Sequence, residues 1–315
     1  MITITKAPPY LTVQDAGRRA SLSAGVPRGG AMDSFAFHAA NAILGNEMDA
    51  AVLEWALGGG AMRIDRDCAF CFTGAGARIT VGTRVAAPCT TIFAGEGDEV
   101  LVEQIVSGRF IYFAFAGGLD VPVLLGSRST YLPGRFGGLA GRMIRTGDVL
   151  DVVSAPAATR RREVHCAPDL LPRYDSGIVH ITAGPQAHLF DDTAWGILTS
   201  SEFRISNASD RTGYRMEGPP VGNPPALLPS EAGCPGAIQV PGDGLPIALM
   251  ADAPTVGGYA KVAVVSEADM PILAQRRPGE RIRFELITSE QSHRALKRRQ
   301  SELQTIRQLA QRSSR

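Results

Sequence analysis

The chain has 315 residues, 44% hydrophobic and 20% charged, with a net charge of +1. That balance describes a globular protein long enough for one large domain or two ordinary ones, and gives no electrostatic case for nucleic acid or an anionic membrane as partner. No apolar run reaches the roughly 18 residues of a membrane-crossing helix, and the opening MITITKAPPYLTVQD alternates like a strand, not a secretory leader, so a cytoplasmic location is expected.

After that first strand, SFAFHAANAILG (34–45) reads as a helix, with Asp33 as N-cap and Gly45 as stop. CAFCFTG (68–74) reads as a buried strand. Its Cys68 and Cys71 lie three apart and point to opposite faces, so they are expected to be small hydrophobes and not a metal or redox pair. The five cysteines, an odd number, fit reduced thiols. β-Branched runs follow at 77–85, 98–106, 110–117 and 148–153, then at 177–184, 246–252 and 281–287, punctuated by many of the 35 glycines and 21 prolines. The residues between these two groups, 155–176, are rich in Ala, Pro and Arg and read as a connection. From Glu290 onward, Leu296, Leu303, Ile306 and Ala310 fall at helical steps among seven basic residues and two Glu, which predicts an amphipathic C-terminal helix.

A weak internal repeat lays 53–76 on 229–252 and 96–105 on 278–287, with the order preserved. The fold class expected is mainly β: two related β-barrel halves with a few short helices and the C-terminal helix. The boundaries expected are 1–158, a connecting segment 159–176, a second half 177–289, and the basic tail 290–315.

The usual catalytic signatures are missing: no GxSxG elbow, no GxxxxGK[ST] phosphate loop, no HExxH and no dinucleotide GxGxxG. What stands out is a set of Gly-rich loops that carry charge: QDAGRR (14–19), VPRGGAMD (26–33), LLGSRSTYLPGRFGG (124–138), SDRTGYRMEG (209–218), IQVPGDGLP (238–246) and ADAPTVGGYAK (251–261). Glycine lets backbone N–H groups approach a ligand, and Arg or Lys beside them can hold a carboxylate or stabilise a developing oxyanion. Only three residues are lysine, and one of them, Lys261, follows a Gly-Gly-Tyr turn. A compact ammonium placed there, in a chain that otherwise uses Arg, marks a candidate catalytic cation.

Taken in order, QDAGRR, GGAMDSFAFHAANAILGN, LLGSRSTYLPGRFGGLAGR, SDRTGYRMEG, GAIQVPGDGLPIALMADAPTVGGYAKVAVV and LAQRRPGERIRF resemble the KipA family, also known as allophanate hydrolase subunit 2, urea amidolyase-related protein or the C component of 5-oxoprolinase (PxpC). The similarity runs over about residues 1–288. It implies cyclophilin-like β-barrels and a KipI-type partner, the B component of 5-oxoprolinase. In one branch of the family, ATP used together with the A and B components drives opening of the 5-oxoproline lactam. In another, carboxybiotin on a separate carrier, charged by a biotin carboxylase, carboxylates urea or a similar amide. A regulatory role opposing a KipI-type kinase inhibitor is the third possibility. No Met-Lys-Met biotin site is present, so ATP or biotin would come with a partner chain. Both chemistries polarise an N–C=O oxygen. The site expected places Lys261 as the cation and Asp252 or Asp243 as the group orienting the substrate nitrogen. Arg128 and Arg211 would grip a carboxylate, and Asp15, Arg18, Asp33, Ser129, Gln239, Gly257, Gly258 and Tyr259 would line the substrate pocket.

Overall fold

A computed structural model describes residues 1–18, 20–153, 163–222, 224 and 228–312. The chain packs as two units: unit 1 is Met1–Arg18, Asp33–Pro172 and Gln300–Arg315, and unit 2 is Arg19–Met32 and Arg173–Arg299. The units are therefore interleaved in sequence, not contiguous halves. Residues 19–32 join unit 2 because Gly29 N–H donates to Ala251 O at 3.0 Å and the Arg211 guanidinium donates to Gly30 O at 2.6 Å. Of the expected connection at 159–176, residues 159–162 lie outside the described residues. His165 pairs with Thr90 in an antiparallel bridge inside unit 1.

Unit 1 is built on a ten-stranded sheet. Its strands are β1 (Ile2–Lys6), β2 (Tyr10–Gln14), β3 (Val52–Ala56), β4 (Gly60–Ile64), β5 (Cys68–Val81), β6 (Arg84–Val85), β7 (Ile92–Ala94), β8 (Glu99–Phe115), β9 (Leu119–Asp120) and β10 (Val149–Val152). The order runs β2-β3-β8-β4-β1-β10-β9, with β5 branching from β8 and carrying β6 and β7. Alternation places Leu11, Val13, Leu53, Trp55, Phe70, Phe72, Ile111, Phe113 and Phe115 in one core. Helix α1 (Ser34–Leu44) begins where the Asp33 carboxylate accepts Ala36 N–H at 2.9 Å and ends at left-handed Gly45.

Unit 2 closes into a seven-stranded barrel of β11 (Ile178–Ala183), β12 (Glu202–Ile205), β13 (Gly213–Glu217), β15 (Ala237–Val240), β16 (Ile247–Leu249), β18 (Ala260–Val265) and β19 (Arg281–Leu286). Strands β11 and β19 pair in parallel, and every other rung is antiparallel. A separate ribbon joins β14 (Glu231–Ala232) to β17 (Val256–Gly257). Two helices that the periodicity did not signal also appear, α2 (Asp192–Ser200) and α3 (Met270–Ala274). The final helix, α4 (Ser289–Arg312), has the amphipathic stripe expected of it, with Ile306 and Ala310 buried.

Candidate functional site

In unit 2, Lys261 is the second residue of β18, directly opposite Gln239 of β15. Its surroundings follow from one close approach. Gly184, just beyond β11, lies so near β18 that a Cβ there would sit 2.3 Å from Lys261 O, and its N–H donates to Val262 O at 2.9 Å. The turn this permits brings Gln186 against Lys261. The Gln186 side-chain oxygen accepts Lys261 N–H at 3.1 Å, and its amide nitrogen donates to both Glu231 oxygens at 3.1 and 3.0 Å.

The Lys261 ammonium itself ion-pairs with Glu231 at 2.8 Å and donates to Ala232 O at 3.1 Å. Its side chain is only 8% exposed, against 49% for Glu231, so the carboxylate forms the solvent edge of the pair. Hydrogen bonds from Lys261 and then Gln186 hold the Glu231 carboxyl below its ordinary range. Two of the ammonium protons are thus engaged, and no protein acceptor is seen for the third among the described residues.

Gln239 is buried and its side-chain amide abuts Gly257, where a Cβ would stand 3.1 Å from Nε2. Tyr259 lies two residues before Lys261 and is 43% exposed. Gly258 O accepts Leu228 N–H at 3.0 Å, which anchors the turn. Lys261, Gln239, Gly257, Gly258 and Tyr259 therefore lie together on this stretch of the barrel. Their partners Gln186 and Glu231 were not signalled by any motif.

The other residues expected at this site in unit 2 lie elsewhere or are otherwise engaged. Asp243 is exposed in the β15–β16 turn, where its carboxylate accepts Leu245 N–H at 3.1 Å. Gln239 and Lys261 lie level with Ile247 at the start of β16, whereas Asp252 lies beyond its end. Arg211 lies there too, two residues ahead of the Gly213–Leu249 rung. The ladder thus separates Arg211 and Asp252 from Lys261 along the barrel wall. The Arg211 fork is also committed, since Nε and Nη2 each donate to an Asp252 oxygen at 2.9 Å with both side chains buried. The expected grip on a substrate carboxylate by Arg211 is corrected: its carboxylate partner is the protein's own.

Unit 1 holds a second cluster. The Asp15 carboxylate accepts Gly17 N–H at 2.8 Å, Ser127 Oγ–H at 2.6 Å, Ser129 Oγ–H and Arg128 N–H. Arg18 is fully buried, donates to Ser129 O and stacks 4.8 Å over Phe136. Asp15, Arg18 and Ser129 thus serve to fold the SRST loop, and this corrects their expected place on the substrate. Asp33 is likewise engaged in capping α1, and its N–H donates to Tyr112 Oη at 2.8 Å. Half-buried Arg128 differs. Within its guanidinium only Nε has a protein acceptor, Val121 O at 3.1 Å, among the described residues.

Beneath this loop runs a buried polar chain: Gln14 donates to Thr12, and Tyr112 Oη donates to Glu54 at 2.9 Å. Burial, with the nearby Glu54 and Asp33 carboxylates, pushes the Tyr112 hydroxyl well above its ordinary pKa. Among the described residues no group of three or more His, Cys, Asp or Glu side chains is arranged to hold a metal.

Comparison with known proteins places this geometry. The family described as the carboxyltransferase domain, subdomain A and B, matches residues 24–286. The chain belongs to this family. The carboxyltransferase match contains the SRST loop and the whole Lys261 cluster, whereas Asp15 and Arg18 precede it and α4 follows it. Two relatives of the chain are the C subunits of 5-oxoprolinase from Escherichia coli, 34% identical over 98% of each chain, and from Haemophilus influenzae, 32% identical over 98% of each. The crystal structure of the K. lactis urea amidolyase superposes with a TM-score of 0.88 at 28% identity, over 97% of this chain but 20% of that one.

Proposed function

We propose that this chain is the C component of an ATP-dependent 5-oxoprolinase, working with components of the A and B (KipI-like) kinds and inactive alone. The observation that supports this reading is coverage. The chain matches the two 5-oxoprolinase C components end to end, but corresponds to only a fifth of the urea amidolyase.

In this reading the lactam C–N bond breaks, with water supplying hydroxyl to the carbon and a proton to the nitrogen. Negative charge gathers on the carbonyl oxygen as the carbon is attacked. The third N–H of Lys261 and the Gln239 amide are the donors that would meet that oxygen, each worth about 3–4 kcal/mol when well placed. Glu231 holds the ammonium in position. ATP enters through a partner chain.

The likeness to the urea amidolyase fold supports a second reading, in which the same donors polarise a urea carbonyl while carboxybiotin arrives on a separate carrier. Reconstitution separates the two. The chain mixed with A- and B-type components is expected to release glutamate from 5-oxoproline with ATP consumption, and the mixture lacking this chain to do neither. Turnover of urea with a biotin carboxylase and carrier, and none with 5-oxoproline, would contradict the first reading.

A further inference from the structure

A groove of about 690 Å³ opens in unit 1 between the β1–β2 turn and the loop that follows the SRST segment. Its apolar wall is Pro8, Pro9, Leu132 and Met143, and its cations are Arg135, Arg142 and Arg145. The three arginines are not equivalent. Arg142 is clamped by Asp148 through two hydrogen bonds of 2.6 and 2.9 Å and donates to Met143 O at 2.9 Å. Arg145 uses its backbone N–H on the same carboxylate at 2.8 Å. The exposed guanidinium groups of Arg135 and Arg145 have no hydrogen-bonding carboxylate or carbonyl among the described residues; Arg145 still feels the Asp148 charge that Arg142 already pairs, so the groove lining keeps an excess of positive charge.

The loop that presents them is held in a costly shape. Arg135 and Ala140 adopt φ of 54° and 56°, two of the five non-glycine residues with positive φ among the described residues. Such a conformation costs about 1–2 kcal/mol per residue and persists only where the surroundings enforce it. They do so here. Gly141 N–H donates to Gly137 O at 2.8 Å, and a Cβ on Gly141 would meet Arg135 O at 2.0 Å. Tyr131 packs on Phe136 at 5.5 Å, and both rings close against Gly134, where a Cβ would stand 2.6 and 2.7 Å from them. The result is a fixed backbone that carries Arg135 and Arg145 beside an apolar wall, in a groove within the usual range for small-molecule sites.

We propose that this groove binds a small organic anion, a carboxylate or phosphoryl group on a short carbon body, with Arg135 and Arg145 on the anion and Pro8, Pro9 and Met143 against the carbon. The inference is independent of the oxoprolinase reading, because its readout is binding to the isolated full chain. Calorimetric titration with glutarate and, separately, with inorganic pyrophosphate is expected to show saturable one-site binding of at least one probe. The probe that binds identifies the anion class. The R135A/R145A double variant, whose thermal unfolding should match wild type, is expected to weaken binding at least about tenfold, and M143E to weaken it as well. Removing two exposed arginines elsewhere, R66A/R84A, should leave it unchanged. Absence of binding by both probes, unchanged affinity in R135A/R145A, or an equal loss in R66A/R84A would overturn the proposal.

Discussion

Arg211 and Asp252 meet edge to edge in unit 2, with two parallel N–H···O contacts of 2.9 Å, and both side chains are buried. The same guanidinium holds Gly30 O, so one residue ties the 19–32 segment to the barrel. Removing one partner leaves a buried charge uncompensated. Asp252→Asn and Arg211→Met are each expected to lower unfolding free energy by about 3–5 kcal/mol in denaturant titration. Arg211→Lys should recover only part of this, because an ammonium cannot span both oxygens.

The Asp15 knot makes a parallel prediction in unit 1. An Asn at 15 keeps the size but replaces an acceptor with a donor facing other donors, and Asp15→Asn is expected to cost about 2–3 kcal/mol. Gly137→Ala tests the same loop independently. The added methyl would stand 2.0 Å from Ser129 O and 2.5 Å from Arg18 Nη2, at φ 73°, and should destabilise by at least about 2 kcal/mol. Urea unfolding curves for both variants check this.

The Arg142–Asp148 pair predicts a pH dependence. The Arg142 hydrogen bonds, helped by Arg145 N–H, hold the Asp148 carboxyl below its ordinary 3.8. A carboxyl whose folded pKa is depressed stabilises the fold above its unfolded pKa, and that stabilisation is lost as pH falls through the folded value. The stability gap between wild type and Arg142→Gln should therefore be widest near neutrality and close as pH drops below 3.8. A gap that widens on acidification would contradict it.

Thiol chemistry gives a fourth check. Burial pushes Cys68 and Cys166 up to about 11, Cys89 to about 12, and Cys71 well above its ordinary value. Cys234 is exposed. Native protein at pH 7–8 should show one rapidly reacting thiol, at Cys234, and four more only on unfolding. A Cys234→Ser variant should abolish the fast phase.

Much of the fold was legible because the signals are local. The Asp33 cap, the Gly45 stop and the alternation through CAFCFTG and AKVAVV each depend on neighbours within a few residues. Helix α2 was not legible: DTAWGILTS has a central glycine and β-formers, and only the Asp191 cap, accepting Ala194 N–H at 2.8 Å, marks it. The site was legible in part. The Gly-Gly-Tyr-Ala-Lys turn stood out, but Gln186 reaches Lys261 from 75 residues away through the barrel register. Arg211 looks like an anion receptor until Asp252, 41 residues on, is seen to fill its fork. Charge type can be read from a sequence, but whether that charge is already paired depends on long-range register.

The central claim is that Lys261 donates to a developing oxyanion in the assembled enzyme. The most direct test is steady-state kinetics of Lys261→Met, reconstituted with A- and B-type components, using 5-oxoproline and ATP. Loss of this donor is expected to lower kcat about 10²–10³-fold with KM for 5-oxoproline changed little, while the variant still folds and assembles. A kcat within a few-fold of wild type in the folded, assembled variant would contradict the account.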